Sequence, residues 1–361
     1  MNNMNKMMQK RLMMDEMIQK TPKIMNNGRI LASIKVIGVG GGGCNAVRRM
    51  MQQWKISGIE YIAVNTDIKS LRLVSDAQCV QIGEQLTQGF GAGGRVRVGE
   101  LAAEESYYNL HKAIKGADLV FITAGMGGRT GTGSAPVVAE IARASGALTV
   151  AVVTTPFSFE GNRRAEVASN GLNYLIKKVN SVIIVPNDHL LRLGDHNVPV
   201  QEAFLAADEV IAEGILAISE LINLPGEINV DLADVKRVLG IPGMAVMCTG
   251  WGRDDDSSEE VVERVVSNPL LQNHINGARG ILFNFSGGPD LTLGKIEKAS
   301  SLISRQVNRQ ALMFFGMSLP KNELEGRVKL TLVATGVKSS LFNDWRSEVG
   351  GGLRSIYRKF V

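Results

Sequence analysis

Two glycine-rich stretches hold the residues best placed to do chemistry. Gly38-Val39-Gly40-Gly41-Gly42-Gly43 closes the apolar run Ile34 to Val39 and leads into a helical stretch from Asn45 to Gln53. Glycines at such a junction let backbone N–H groups approach phosphate oxygens, and the helix N-terminus adds a favourable dipole. Gly125-Met126-Gly127-Gly128-Arg129-Thr130-Gly131-Thr132-Gly133 repeats the order strand, loop, helix, and its hydroxyls and amides could line a second side of a polyphosphate. A third stretch, Gly89 to Gly94, could close over the terminal phosphate. The first stretch also satisfies G-x-G-x-x-G, with Asp67 about 24 residues later, so a nicotinamide-dinucleotide domain has to be weighed. That reading leaves Gly127 to Gly133 without work and offers no hydride-transfer site. No G-x-x-x-x-G-K-[ST] occurs, which excludes a P-loop NTPase.

The elements around these stretches alternate. Strands are expected at 34–39, 61–64, 118–123, 148–153 and 181–185, with helices at 45–53 and about 135–144. Strands interleaved with helices imply a largely parallel sheet covered on both faces, with ligands at the carboxyl ends of the strands. From Val200 to Asn223 apolar residues recur at helical intervals without proline, one long helix that Pro225-Gly226 ends. Beyond it, strands near 280–285, 312–316 and 329–333 and helices near 259–266 and 294–307 form a second, smaller α/β domain. The expected organisation is a basic extension over 1–30, a nucleotide-binding domain over 31–200, a central helix over 201–224, a C-terminal activation domain over 225–337 and a short basic tail over 338–361. Asp254–Asp256 with Ser257 and Glu260 reads as a solvated loop entering a capped helix.

Composition limits the function classes. The 361 residues are 45% hydrophobic and 21% charged, enough for real cores and too apolar for global disorder. No run approaches the roughly 18 apolar residues of a membrane span. Cys44, Cys79 and Cys248 are scattered thiols without C-x-x-C spacing, which argues against a disulfide scaffold or zinc ribbon and for a cytoplasmic protein. The net charge is +5, yet residues 1–30 carry +4 and residues 345–361 carry +3, so the body between them is −2. A basic total therefore does not point to nucleic acid; the two ends are the places where a membrane tether or partner could attach. In the extension, Met4, Met7, Met8, Leu12, Met14 and Ile18 recur at roughly helical spacing, either an amphipathic helix or a tail that folds only in context. Charges interrupt it throughout, so it is no secretory signal.

Five segments in order resemble FtsZ, the bacterial cell-division GTPase family of the tubulin superfamily. They are Lys35 to Gly43, Ala63-Val64-Asn65-Thr66-Asp67, Gly127 to Gly133, Phe159-Glu160-Gly161 with Arg164, and Asn229-Val230-Asp231-Leu232-Ala233-Asp234. The resemblance covers about residues 33 to 337 and implies a tubulin/FtsZ-like fold. It implies that Gly41, Gly42, Gly43, Cys44 and Asn45, with Arg129, Thr130, Gly131, Thr132 and Gly133, hold the phosphates of GTP or GDP. Glu160 would meet the ribose hydroxyls and Arg164 the neighbouring nucleotide surface. Asn187, Phe204 and the acid at Asp208 or Glu209 would read and stack guanine, whose N1–H and N2 amine are paired donors for a carboxylate. Mg²⁺ would bridge the phosphates.

Asp231, Asp234 and Asn229 would complete hydrolysis from a different subunit. About 20 helical residues separate Phe204 from these acids by roughly 30 Å, too far for one nucleotide to meet both. A head-to-tail contact with a second copy brings them together, and such a contact propagates into a filament. The expectation is a self-assembling, polymerisation-dependent GTPase in the cytoplasm at the division site. The alternative is a structural paralogue that binds nucleotide and polymerises but barely hydrolyses it. Three features depart from the family pattern: Arg129 where glycine is usual, Asp208-Glu209 where Asn-Asp is usual, and Arg95-Val96-Arg97 in the third glycine-rich stretch. Only about twenty residues follow Val337, where the family commonly has a long linker and a docking peptide.

Overall fold

A computed structural model describes residues 23–24, 30–53, 58–74, 76–188, 199–223, 230–253, 258–266, 275, 277–287, 292–318 and 327–337. The expectations for most of the basic extension, for the tail, for Pro225-Gly226, for Asn229 and for the acidic run 254–256 lie outside these residues. Ten strands form one sheet: β1 (Ile34–Val39), β2 (Ile59–Asn65), β3 (Gln78–Gln81), β4 (Leu119–Gly125), β5 (Leu148–Thr155), β6 (Ser181–Pro186), β7 (Gly243–Arg253), β8 (Gly280–Gly287), β9 (Leu312–Ser318) and β10 (Arg327–Val337). The order across the sheet is β9-β8-β10-β7-β6-β5-β4-β1-β2-β3.

From β3 to β7 every pairing is parallel; β10 alone runs antiparallel to both its neighbours. The order β3-β2-β1-β4-β5-β6 turns back on itself between β1 and β4, and a crevice opens at the carboxyl ends where crossovers diverge to opposite sides. Both glycine-rich stretches leave the sheet at that point.

The main helices are α1 (Gly40–Gln53), α2 (Val96–Glu105), α3 (Tyr107–Ile114), α4 (Arg129–Ala144), α5 (Asn162–Leu175), α6 (Val200–Asn223), α7 (Leu232–Leu239), α8 (Ser258–Val266) and α9 (Leu293–Gln306). They cover both faces of the sheet, which is why β1 reads as an unbroken apolar run. Ile37 and Val39 join one core with Leu110, Val138 and Leu172; Ile34 and Val36 join the other with Val47, Met50, Ile211 and Ile215.

The C-terminal strands are not held by the long helix alone. β6 and β7 pair through Ser181–Gly243, Val182–Met244 and Ile183–Ala245, so the sheet runs continuously from one half to the other. That short ladder covers what would otherwise be an exposed, apolar edge of β6. The helix α6 runs against the strand direction: Phe204 near its start lines the crevice, whereas Asn223 at its end donates to the Ala32 carbonyl, just before β1.

Candidate nucleotide site

The crevice is a cavity of about 380 Å³. Helix α1 begins at Gly40, directly after β1, so the glycines expected to form a loop are instead its first turn. Gly40 has φ +72°, and a Cβ there would stand 2.7 Å from the Gly131 amide nitrogen at the start of α4. Helix α4 likewise begins earlier than the sequence suggests, at Arg129, with Gly128 as its N-cap and no side chain capping it. Neither helix has an acidic residue in its first turn. Two uncapped helix N-termini therefore converge at one end of the cavity, each presenting backbone N–H groups and the positive end of its dipole. That arrangement binds polyphosphate.

Gly41, Gly42, Asn45, Arg129, Thr130 and Gly131 all line the cavity, and Ala92, Gly93 and Gly94 of the third stretch close over it. Thr130 Oγ1 lies 2.9 Å from Thr66 Oγ1, which ties the start of α4 to the end of β2. Arg129 is exposed, and Gln88 is the single non-glycine with positive φ among the described residues. An arginine thus fits the position without backbone strain.

Four of the residues assigned to phosphate do other work. Cys44 is buried beneath the turn, its Sγ 3.6 Å from the Gly38 carbonyl and 3.7 Å from that of Val64. Burial pushes its thiol up to about 12, so it stays protonated. Thr132 Oγ1 accepts from the Gly127 N–H at 2.9 Å and so holds the shape of the turn. Gly43 and Gly133 are packing glycines: a Cβ on the first would collide with the Thr123 carbonyl oxygen, and on the second with that of Val96 on α2. The signal for phosphate and the signal for close packing are the same residue, glycine, and spacing alone does not separate them.

The other end of the cavity is built from aromatic and polar groups. Phe204 meets Phe157 edge-on at 5.2 Å, and Phe157 stacks on Phe159 at 4.9 Å. Asn187 lines the cavity, is 4% exposed, and its Oδ1 has no hydrogen-bond partner among the described residues. A buried acceptor left in this way costs about 1–3 kcal/mol unless a ligand donor satisfies it. Thr123 Oγ1, also on the cavity wall, is in the same condition. Glu160 accepts from the Phe157 N–H at 2.8 Å with Oε1 and pairs with Arg164 at 2.6 Å through Oε2; both residues line the cavity. Of the two acids offered for base recognition, Asp208 faces the cavity and Glu209 is exposed outside it.

Asp67, which a dinucleotide reading would place on a ribose, accepts from the Lys69 N–H at 2.9 Å and from Ser70 Oγ at 2.8 Å, and so caps the turn Ile68–Arg72. Asp231 and Asp234 are not among the cavity residues. Asp231 is the N-cap of α7, its Oδ1 accepting from the Asp234 N–H at 2.9 Å. The end of α7 packs at the amino edge of the sheet, where the Val238 carbonyl accepts from Thr335 Oγ1 and Val238 touches Gly280 at the start of β8. Asp234 pairs with Arg237 at 3.9 Å, and that guanidinium lies over the Phe314 ring near the start of β9, so this acid sits toward the starts of the strands and the cavity at their carboxyl ends. Arg49, which the sequence does not single out, also lines the cavity.

Comparison with known proteins agrees with this geometry. Residues 33–195 match the model of the Tubulin/FtsZ family GTPase domain, and residues 243–338 match that of the FtsZ family C-terminal domain. An empty FtsZ dimer from M. jannaschii is 37% identical, with 92% of each chain covered and a TM-score of 0.79. An FtsZ mutant from the same organism is 41% identical over 86% of this chain and 92% of that one, with a TM-score of 0.81. CetZ2 from Haloferax volcanii, a GTPγS-bound protofilament, shares the fold at 22% identity, with 89% and 99% of the two chains covered and a TM-score of 0.73. With two helix N-termini at a switch-point cavity, and identity of this level across nearly its whole length, the chain belongs to the Tubulin/FtsZ family of GTPases.

Proposed function

We propose that this protein binds GTP in the switch-point cavity and hydrolyses it where the cavity of one subunit meets the α7 acids of the next in a head-to-tail filament. The observation that carries this reading is that neither α7 acid lines the cavity, Asp234 lying instead by Arg237, which sits over Phe314 near the start of β9. A subunit with a donor-lined cavity at one end and two acids at the other suits a heterologous contact, which repeats as a filament where the rotation between subunits does not close a ring. The M. jannaschii FtsZ is described as a dimer and CetZ2 as a protofilament, which supports self-association here.

Phosphates lie against the N–H groups of α1 and α4, and guanine lies between Phe204 and the Asn187 and Asp208 side chains. Satisfying the Asn187 Oδ1 needs a donor, which the guanine edge supplies. Water attacks the γ-phosphorus, the bond to the β–γ bridging oxygen breaks, and GDP and phosphate leave. Because Asp231 spends Oδ1 on capping, its part is to hold the first turn of α7 so that Asp234 reaches the attacking water. Among the described residues no three His, Cys, Asp or Glu converge, so Mg²⁺ would arrive on the phosphates and keep several of its waters. It supplies charge neutralisation there. Asn229 remains part of the proposed hydrolysis set through its place in the motif.

Among the described residues no helix is long and apolar enough to cross a membrane. A ring or scaffold at the division site, tethered through the basic ends, is the cellular role that this reading assigns.

Titration with GTP, ATP and inorganic triphosphate tests the site. Phe204→Ala should weaken GTP binding about tenfold, the loss of one stacking contact, and leave triphosphate unchanged. Equal weakening of both would contradict the placement of the base. Light scattering with phosphate release then separates hydrolysis from assembly alone, and scattering without release favours the non-hydrolysing paralogue.

A further inference from the structure

Arg49 lies on α1, the helix whose start holds the phosphates, yet its side chain crosses to α6. There Nη1 donates to Asp208 Oδ2 and, at 3.3 Å, to the Phe204 carbonyl oxygen. The side chains of the pair are only 18% and 15% exposed, and both residues line the cavity. Burial and neighbouring Arg48 lower the Arg49 pKa while Glu209 opposes them, and a guanidinium stays charged through such shifts. Two charges withdrawn from water are costly unless good geometry and further hydrogen bonds offset the desolvation. An ionised carboxylate is acceptor-only, with about four lone-pair sites on two oxygens. Arg49 takes one side of Oδ2, which leaves lone pairs on a carboxylate that itself lines the cavity.

We propose that Arg49 is a specificity-positioning residue, holding the Asp208 carboxylate aimed across the base end so that the cavity selects a base with two adjacent donors. This rests on the guanine-nucleotide reading of the cavity. Guanine presents N1–H and the N2 amine together; hypoxanthine keeps N1–H and lacks the amine; adenine presents an acceptor at N1. A carboxylate free to rotate would meet N1–H almost as well but would lose the second contact. Arg49 therefore governs discrimination between GTP and ITP.

The test is calorimetric titration of dilute protein with GTP, ITP and ATP, using wild type, Arg49→Ala, Arg49→Lys, Asp208→Asn and the double variant Arg49→Ala/Asp208→Asn. Thermal melting without nucleotide confirms folding, and Arg49→Lys serves as the conservative variant if alanine does not fold. The expected result is a loss of about tenfold in the GTP-over-ITP preference for Arg49→Ala, with ATP binding unchanged. Arg49→Lys recovers part of it, and Arg49→Ala adds nothing to the preference in the Asp208→Asn background. Equal weakening of all three nucleotides overturns the proposal, since a mere structural tie would do that. Tighter GTP binding overturns it too, because Arg49 would then be blocking Asp208. If Asp208→Asn leaves the preference for GTP over ATP intact, the guanine reading itself fails, and the proposal with it.

Discussion

Replacing Asp234 with alanine should lower steady-state phosphate release about a thousandfold while leaving GTP binding by dilute subunits unchanged. The two outcomes separate because Asp234 does not line the cavity. Removing it asks little of the fold. Among the described residues Asp234 pairs with Arg237 at 3.9 Å, on a side chain 60% exposed, a contact worth well under about 1 kcal/mol. Asp231→Ala is a less direct probe, because it also removes the N-cap of α7 at a cost of about 1 kcal/mol. Phosphate release by a coupled assay and nucleotide binding by calorimetry, on the same preparation, decide the matter. Loss of binding in Asp234→Ala would mean that the acid supports the cavity from within its own subunit.

The second large effect divides two glycines of one helical turn, Gly41 and Gly43. At Gly43 a methyl group would meet the Thr123 carbonyl oxygen and stand 2.9 Å from the Gly38 carbonyl carbon, both backbone atoms of the central strands. Backbone cannot swing aside as a side chain can, so Gly43→Ala should destabilise the protein by about 3 kcal/mol. At Gly41 a methyl would meet nothing within 4 Å beyond its own helical turn among the described residues, yet the residue lines the cavity. Gly41→Ala should therefore keep or slightly raise the melting temperature, as alanine favours a helical turn over glycine. It should weaken GTP about tenfold, because close approach of backbone to phosphate is lost. Thermal unfolding without nucleotide, paired with GTP titration, reads both. A destabilised Gly41→Ala, or a Gly43→Ala that melts normally, would contradict the division of labour between them.

That division also marks where the sequence stops being informative. The strands β1, β4, β5 and β6 are plain in it because both faces of the sheet are covered, and buried parallel strands read as unbroken β-branched runs. The long helix α6 is plain for a different reason, having no proline and an apolar residue every three or four positions. β3 is only four residues long at the sheet edge and half exposed, so it carries little apolar signal. β7 contains three glycines in Gly243-Met244-Ala245-Val246-Met247-Cys248-Thr249-Gly250-Trp251-Gly252-Arg253, which hide a strand.

At the site, Gly41, Thr130, Asn187, Phe204 and Asp208 could be found from their motif positions, and the cavity gathers all five. Thr132 and Glu160 could be found but not understood. Their hydrogen bonds to the Gly127 and Phe157 amides are local backbone geometry that no residue type announces. Arg49 could not be found, since its partner is 159 residues away and only the packing of α1 against α6 brings them together.

A mixing experiment tests the shared site most directly. One variant, Gly41→Arg, carries an obstructed cavity and intact acids; the other, Asp234→Ala, carries an intact cavity and lacks the acid. Each alone should release almost no phosphate. Mixed in equal amounts above the assembly concentration, about one interface in four pairs an intact cavity with an intact acid under random head-to-tail joining. The expected result is recovery to about a quarter of the wild-type rate, lost on dilution. No recovery in mixed filaments, or wild-type turnover at full rate in dilute monomer, would contradict hydrolysis between subunits.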